Sequence, residues 1–306
     1  RGNFDECQTA VKKIFTSEEC KEELKGKGVV LSSANSINFG RLAPQIAYYF
    51  SAYLDLVSSE QIKMGDPVDF AVPTGNFGNI LAAYYAKRMG LPVGKLICAS
   101  NKNNVLTDFI RTGKYDKRRE FFKTMSPSMD ILISSNLERL LFELSGREPK
   151  RIKLRMDKLA SEGVYEIYDE EREELSKLFW ADFCGEDETV ETIYEFFEEY
   201  QYPMDTHTAC AMYAAANYMA GEETKDGNPM VVVSTASPYK FPQDVMYAVT
   251  GNDIKDSFKA IKHLNIATAM KVPASLSKLR DKPIRFKETA DKDKLYAEVL
   301  KFVDKK

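Results

Sequence analysis

The sequence has little of the residue types that most often build metal centres and disulfide frameworks. Its 306 residues include only 2 histidines, 5 cysteines and 1 tryptophan. The cysteines show no CxxC spacing; they are Cys7, Cys20, Cys98, Cys184 and Cys210. An odd, scattered set is typical of reduced thiols, so we expect neither a zinc site nor a disulfide framework.

A surplus of one charge and long apolar runs are also absent. The 43 Lys and Arg residues nearly balance the 46 Asp and Glu residues, which gives no reason to expect a nucleic acid or a membrane surface as partner. No apolar run is long enough to span a bilayer, and no signal peptide is recognisable, so we expect a cytoplasmic protein. The first residue is Arg1 rather than methionine, which leaves open whether the sequence is a fragment.

A glycine-rich turn lies between an apolar segment and a helical pattern. Residues 68–72 are mostly apolar, the turn PTGNFGN covers Pro73–Asn79, and a helical pattern runs from Ile80 to Met89. Residues 96–99 are apolar again and predict a second strand. Strand, turn, helix and strand in this order predict a βαβ unit with parallel strands.

This turn has the composition of an anion-binding site. At a helix N-terminus, free backbone N–H groups and the positive end of the helix dipole favour a bound phosphate. Gly75 and Gly78 let the backbone approach the anion, and Asn76 and Asn79 add side-chain donors. An ordinary βα turn is the alternative interpretation of the same spacing.

A second polar cluster lies at the start of a long predicted helix that runs to about Val57. The cluster covers residues 32–41 and contains serine and asparagine side chains together with Arg41. A guanidinium can bind a phosphate through two parallel hydrogen bonds. A capped helix start with a surface arginine is the alternative.

Further polar side chains follow strand-like segments, and ligands of open α/β sheets bind at the carboxyl ends of strands. Asn101–Asn104 follow the second strand and either line the site or cap the next helix. Met230–Val233 predict a buried strand, and Ser234–Phe241 follow it. His207 precedes a helix rich in small residues, as a base near the ligand or as a cap of that helix.

The remaining sequence indicates packing and surface. Asp5 is a candidate N-cap for a helix to Phe15, and Val29–Leu31 predict a short strand. Residues 146–202 are highly charged and predicted helical, and we interpret them as an outer subdomain. Helices are also predicted near the end of the chain.

Three of these stretches, in this order and spacing, resemble threonine synthase, a pyridoxal-phosphate enzyme with the tryptophan-synthase-β-like fold (fold type II). They are Ser33–Asn38 with Arg41, Pro73–Asn79 and Ser234–Phe241. Residues 2–8 and 126–131 are also similar to the family pattern. The resemblance runs from residue 1 to about residue 250 and looks closest to the longer bacterial and fungal branch. It implies an α/β domain with a mostly parallel sheet flanked by helices, plus an extra helical insertion.

The resemblance also implies a set of site residues. Backbone N–H groups would hold the phosphate of pyridoxal 5′-phosphate, at Gly75, Asn76, Phe77, Gly78 and Asn79. The hydroxyl of Thr235 would meet the pyridine nitrogen. The phosphate of the substrate would be bound by Asn35, Ser36, Asn38 and Arg41.

The implied activity is that of a pyridoxal-phosphate-dependent carbon–oxygen lyase acting on phosphates. It would convert O-phospho-L-homoserine and water into L-threonine and phosphate, a step of threonine biosynthesis. Two anion sites suit this reaction, because one holds the cofactor and the other stabilises the leaving phosphate as its charge grows. The resemblance implies a small-molecule substrate, no metal, no nucleic acid, no membrane, and a monomer or homodimer.

The lysine that binds the cofactor in this family is not assigned to any residue here. It lies in a Phe-Lys-Asp stretch upstream of the segment that matches residue 1. Phe286-Lys287-Glu288 is similar but lies in the polar tail, and Lys240 matches a family lysine that does not bind the cofactor. We therefore expect no catalytic residue in this chain, and interpret it as a C-terminal portion that is inactive alone.

This interpretation divides the chain into five parts. Residues 1–28 end the smaller, mobile domain, and residues 29–145 and 203–250 form the cofactor-binding large domain. Residues 146–202 are a charged helical insertion, and residues 251–306 are a helical tail.

Two other functions are open. A serine or threonine dehydratase of the same fold would bind the same cofactor, but its substrates carry no phosphate for the cluster that includes Asn35, Ser36 and Arg41. A non-catalytic protein that binds a phosphate ligand would keep the glycine-rich turn without the lysine.

Overall fold

The apolar segments form strands and the amphipathic segments form helices in a computed structural model, which describes residues 1–2, 4–34, 36–221, 227–285 and 287–305. The strands are β1 Val68–Pro73, β2 Val93–Ser100, β3 Lys114–Asp116, β4 Val164–Glu166, β5 Phe179–Phe183 and β6 Met230–Val232. The helices are α1 Phe4–Thr16, α2 Glu18–Gly26, α3 Phe39–Ser58, α4 Gly78–Arg88, α5 Val105–Thr112, α6 Leu137–Leu144, α7 Pro149–Ser161, α8 Asp169–Leu178, α9 Glu186–Tyr200, α10 Thr206–Met219, α11 Pro242–Thr250, α12 Ser257–Thr268, α13 Ala274–Ser277 and α14 Leu295–Asp304.

Four parallel strands form the main sheet, in the order β5-β2-β1-β6. The predicted βαβ unit is β1, α4 and β2, and it is confirmed. Strand β1 is buried along its whole length, as expected for a parallel strand covered on both faces. Strand β6 is only half-buried, so the prediction of a fully buried strand there is wrong.

Alternate residues of the strands face two different helical layers. Phe70 and Cys98 pack in the core that also contains buried side chains of α3 and α4. Ala71 and Ile97 instead contact small side chains of α10, such as Ala211. Alanines on both sides allow α10 to approach the sheet closely, which is what its small-residue composition predicted.

The chain divides into two compact units, Arg1–Asn38 with Asp281–Lys306, and Phe39–Arg280. The second unit contains the main sheet. In the first unit, α1 and α14 contact each other, and an ion pair joins Lys27 to Asp304 at 2.5 Å. The first unit extends to Asn38, and the predicted division of the chain into five parts stays a prediction.

The charged segment 146–202 is not purely helical, and this part of the prediction is wrong. It contains β5, which pairs with β2 in the main sheet from Leu96↔Phe179 to Ser100↔Phe183. It also contains α9, whose Ile193 belongs to a second core formed with α10, α11 and α12. Most of the charged side chains of α7 and α8 are exposed, although Arg155 and Glu171 are buried, and the short apolar strand that follows is a weak signal beside them.

Two local predictions near the N-terminus are also wrong. Residues 29–31 form no strand, and Val30 is 88% exposed. Helix α1 already begins at Phe4, so Asp5 lies inside it rather than at its cap. Residues 18–26 form α2 in spite of their charge, because Ser17 caps the helix by accepting from the Cys20 N–H.

A buried ion pair joins α7 to α8. The guanidinium of Arg155 donates to both carboxylate oxygens of Glu171, with one bond at 3.0 Å. The two residues are 4% and 3% exposed. Glu171 also accepts from the backbone N–H of Tyr168, so its carboxylate is well satisfied.

We expect Arg155→Met to lower the free energy of unfolding by about 3–5 kcal/mol, because it leaves the Glu171 carboxylate buried without its cation. Replacing Glu171 by Met in the same variant should restore part of the loss. Denaturant unfolding followed by circular dichroism measures both. The control is Lys153→Met, which removes an exposed ion pair with Asp157 and should change little. Equal losses in the single and the double variant would contradict the expectation.

Within the described ranges, no helix combines the length and the hydropathy needed to cross a bilayer.

Candidate active site

The chain leaves the sheet after β1 and turns directly into α4. The Thr74 N–H donates to the Ala99 carbonyl at 2.8 Å, which is the last link to β2 before the turn. Phe77 then adopts φ +61°, in the left-handed region, and Gly78 begins the helix. A non-glycine residue is uncommon there. Phe77 is held by burial, since its ring packs 5.7 Å from that of Phe179.

This conformation forms a row of backbone donors at the start of α4. The N–H groups of Asn76, Phe77, Gly78 and Asn79 donate to no described residue. A left-handed residue followed by a helical one directs successive N–H groups to one point, and the helix dipole adds positive potential. The turn therefore offers donors suited to a phosphate, at the carboxyl end of a central strand.

The acceptors of the turn, by contrast, are occupied by the protein. The Gly75 carbonyl accepts from the Ser134 hydroxyl at 2.8 Å, and the Asn76 carbonyl accepts from the Asn136 amide at 2.9 Å. The Asn79 side-chain oxygen accepts from the Tyr49 hydroxyl. Burial raises the pKa of Tyr49, so its hydroxyl stays protonated and donates. Because these oxygens are already bound by the protein, the groups of the turn that remain for a ligand are its backbone N–H groups.

Gly75 is pressed against a neighbouring segment of backbone. A Cβ atom at position 75 would lie 2.7 Å from the Ser128 carbonyl oxygen and 3.1 Å from the Met129 Cα. Both atoms are backbone and cannot rotate away. The segment Ser126–Asp130 therefore forms a wall against the turn, and only glycine fits at position 75.

Buried polar side chains hold this wall in place. Asn101 donates to the Asp130 carboxylate at 2.8 Å, and Asn103 donates to the same oxygen at 3.0 Å. Thr124 adds bonds to Asp130 through its hydroxyl and its N–H. Neither Asn101 nor Asn103 caps α5, whose N-cap is Asn104; the Asn104 side chain forms no capping bond to the helix and instead accepts from Arg119. Asn101 and Asn103 therefore hold the wall in position through Asp130.

Thr235 follows β6 at the same edge of the sheet. The β1–β6 pairing continues to the bond from the Val233 N–H to the Ala71 carbonyl, at 2.9 Å. Parallel pairing therefore brings the residues after β6 to the edge where the turn begins. Thr235 is exposed, and its hydroxyl binds no other described residue. Lys240 ends the following 3₁₀ turn, Pro238–Lys240, and is also exposed.

His207 is neither a free base nor the helix cap. The N-cap of α10 is Asp205, whose side chain accepts from the His207 N–H. Burial alone would raise the pKa of Asp205, but hydrogen bonds from His207 and Thr208 outweigh it and hold the pKa below its ordinary value. The ring of His207 is buried and bonded at both nitrogens, to Asp205 and to the N–H of Ser128.

The second predicted cluster is only partly visible. Asn35 lies outside the described residues, as does Phe286. Asn38 donates to the Ser33 carbonyl at 3.1 Å within the first unit. Arg41 lies in the first turn of α3, in the second unit; it is exposed and forms no ion pair with a described residue. Ser36 is half-buried.

Ser134, Asn136 and Tyr49 were not predicted as site residues, and the segment Ser126–Asp130 was noted only as part of the family pattern. Their contacts with the turn join residues 30 to 60 positions apart, for example Asn136 with Asn76. A polar run such as Ser134–Asn136 before a helix indicates only capping. In the first unit, a cavity of about 490 Å³ is lined by Glu6, Lys13, Cys20 and Tyr296 among others, and by none of the predicted site residues.

The comparisons with known proteins agree with this geometry. Residues 208–303 match the family model described as threonine synthase, C-terminal. A threonine synthase of Pseudomonas aeruginosa is 40% identical over 250 residues, which cover 82% of this chain. The solved structure of yeast threonine synthase superposes over 99% of this chain with a TM-score of 0.80 and 32% identity.

The chain belongs to the threonine synthase family. A pyridoxal-phosphate-bound threonine synthase of Brucella melitensis is also similar, with 36% identity and a TM-score of 0.78 over 98% of this chain. The predicted fold, an α/β sheet of fold type II, is confirmed by these likenesses. Human threonine synthase-like 1 is 45% identical over 258 residues.

The threonine synthase relatives are longer than this chain. It covers 34% of human threonine synthase-like 1, 50% of the Pseudomonas enzyme and 58% of the yeast structure. The match lies in the C-terminal part of the family, which confirms the prediction drawn from the family lysine that lies upstream of the segment matching residue 1.

We expect Gly75→Ala to lower the free energy of unfolding by about 1–3 kcal/mol, because the added methyl group must displace the Ser128 backbone. The displaced turn should also shift the amide resonances of residues 76–79 in NMR spectra. The control is Gly26→Ala in α2, where a Cβ would meet nothing within 4 Å. That variant should be as stable as the wild type or slightly more so. An unchanged stability of Gly75→Ala would show that the wall yields.

Proposed function

We propose that this chain supplies the phosphate-binding part of a threonine synthase that converts O-phospho-L-homoserine and water into L-threonine and phosphate. The observation that carries the proposal is the row of free N–H groups at Asn76–Asn79, at the carboxyl end of β1. The family relationship supports it, because the similar Brucella enzyme is described with pyridoxal phosphate bound.

The donor set fits the phosphate of pyridoxal phosphate. Four N–H donors and a helix N-terminus suit a dianion, whereas the nearby carbonyl oxygens are already bound by Ser134 and Asn136. Asn76 and Asn79 are half-buried, so a ligand can reach them. Pyridoxal phosphate supplies an electron sink for carbanion chemistry at the substrate.

Thr235 is proposed to contact the ring nitrogen of the cofactor. Thr235 is exposed at the edge of the sheet that also carries the turn, and its hydroxyl forms no hydrogen bond with a described residue. A neutral hydroxyl does not force the nitrogen to be protonated, as a carboxylate would. Thr235 would therefore moderate the electron sink while it orients the ring.

Arg41, in the first turn of α3, is proposed to bind the substrate phosphate; the family motif also includes Asn35, Ser36 and Asn38 just before it in the sequence. Arg41 carries an exposed guanidinium with no ion pair among the described residues, and it lies in the first helical turn. A positive group there stabilises the charge that grows on the leaving phosphate. A dehydratase has no use for such a group, since its substrates carry no phosphate.

We expect inorganic phosphate, and then pyridoxal phosphate, to shift the amide resonances of residues 76–79 when titrated into the ¹⁵N-labelled chain. Pyridoxal phosphate should in addition shift Thr235, because only the ring reaches it. Arg41→Ala should leave these shifts intact but weaken the binding of O-phospho-L-homoserine about tenfold, as expected for the loss of a charge-assisted bond.

The control is Lys63→Ala, which removes the same charge from an exposed site elsewhere. Phosphate-induced shifts that are absent at residues 76–79 would contradict the cofactor site. Equal weakening by Arg41→Ala and Lys63→Ala would contradict the substrate site, since a general charge effect would then explain both.

We expect the 306-residue chain alone to release no phosphate from O-phospho-L-homoserine, because we assign it no cofactor-binding lysine. Loss of a catalytic acid–base group costs about 10²–10⁴ in rate. A phosphate-release assay with added pyridoxal phosphate measures this, and keto-acid formation from serine or threonine tests the dehydratase alternative. Clear release of phosphate by the chain alone would refute the assignment.

A second candidate function is non-catalytic binding of a phosphate ligand. The observation that favours it is the 45% identity to human threonine synthase-like 1, whose name states a likeness rather than an activity. Such a protein would bind phosphate at residues 76–79 but would show no response of Thr235 to the pyridoxal ring. The cytoplasmic location and the monomeric or homodimeric state stay predictions.

A further inference from the structure

The ring of His207 lies between two segments that border the proposed cofactor site. Its Nε2 is 3.1 Å from the backbone nitrogen of Ser128, in the wall against the turn. Its Nδ1 is 3.0 Å from Oδ1 of Asp205, the N-cap of α10. The ring is buried, and its centroid lies 4.6 Å from that of Phe241 with an angle of 46° between the ring planes.

These contacts determine which nitrogen carries the proton. A backbone N–H can only donate, so Nε2 must accept from Ser128 and is unprotonated. Nδ1 then carries the hydrogen and donates to the Asp205 carboxylate. His207 thus acts as a bridge that accepts at one end and donates at the other, and it has no proton to exchange with a substrate.

One end of the bridge reaches the phosphate-binding turn. Ser128 donates its N–H to Nε2 of His207. The carbonyl oxygen of the same residue leaves no space for a side chain at Gly75. A shift of the Ser128 peptide would therefore move the backbone of Gly75 and the donors that follow it.

The other end reaches the strand that carries Thr235. Asp205 accepts from the Thr208 hydroxyl, and Thr208 Oγ1 lies 3.3 Å from Ser234 Oγ. Ser234 immediately precedes Thr235. The polar chain Ser128–His207–Asp205–Thr208–Ser234 thus joins the support of the turn to the end of β6.

We propose that His207 is a positioning residue that sets the spacing between the two proposed cofactor contacts, the N–H groups of residues 76–79 and the hydroxyl of Thr235. This inference rests on the proposed function. In pyridoxal phosphate the ring nitrogen and the phosphate group lie at a nearly fixed distance. If the protein binds both groups, the distance between its two contacts must match. Within this series of hydrogen bonds, the bond from the Ser128 N–H to Nε2 is the one that acts on the turn.

Two substitutions separate the two bonds of the ring. In His207→Gln the side-chain oxygen reaches roughly the place of Nε2 and accepts from Ser128. In His207→Asn the amide reaches only the place of Nδ1, so the bond to Asp205 is kept and the Ser128 N–H loses its acceptor. The exposed His263→Asn is the control for a change of histidine elsewhere.

We expect His207→Asn to weaken the binding of pyridoxal phosphate to the 306-residue chain about tenfold, because the Ser128 N–H loses its partly buried hydrogen bond to the ring. His207→Gln and His263→Asn should bind nearly as the wild type does. Isothermal titration calorimetry measures the affinities, at a temperature where circular dichroism shows every variant folded. Hydrogen exchange of the Ser128 amide should quicken in His207→Asn while that of the Ala71 amide, in the core strand, does not.

Several outcomes would overturn the proposal. Equal affinities of His207→Asn and the wild type would show that the bridge does not act on the site. Equal losses in the Asn and Gln variants, with faster exchange of Ala71 as well, would show a purely structural role. ¹⁵N shifts that place the proton on Nε2 would refute the assigned bonds. If the wild type itself binds neither phosphate nor pyridoxal phosphate, the proposed function fails first and this inference fails with it.

Discussion

The close approach of the Gly75 backbone to the Ser128–Met129 backbone is the constraint on which the site depends. It leaves no space for a side chain and brings the turn against a wall built from another part of the chain. With the wall in place, Ser134 and Asn136 bind the carbonyl oxygens of the turn, and the N–H groups of Asn76–Asn79 bind no described residue. The electrostatic potential at the turn is therefore positive and suits a phosphate, because the carbonyl oxygens are bound by the protein and the N–H groups are not.

The wall is stable only because its polar groups are satisfied. Asp130 is 5% exposed and would be costly to bury alone, but Asn101, Asn103 and Thr124 all donate to it. Oδ1 of Asp130 accepts from all three side chains, so the loss of one donor removes part of the compensation for a buried carboxylate. The rigidity of the site therefore comes from buried hydrogen bonds as much as from the apolar core.

The likeness to threonine synthases and the geometry of the turn support each other. The proposed position of the cofactor phosphate is the turn Pro73–Asn79, where the N–H groups of Asn76–Asn79 bind no described residue and can act as donors. The segment 146–202 also has a clearer role in the fold. Its strand β5 extends the main sheet, and its helix α9 completes a second core.

Local signals in the sequence determined the βαβ unit, the glycine-rich turn and the residues that follow β6, because strand, glycine and helix patterns act over a few neighbouring positions. Strand β5 could not be predicted from such local signals, because it has only five residues and lies between charged helices. The wall at Ser128, the support from Tyr49 and Asn136 and the bridge of His207 were decided only by the tertiary structure. Each joins positions far apart in the chain, and a hydrogen bond between them leaves no periodicity in the sequence.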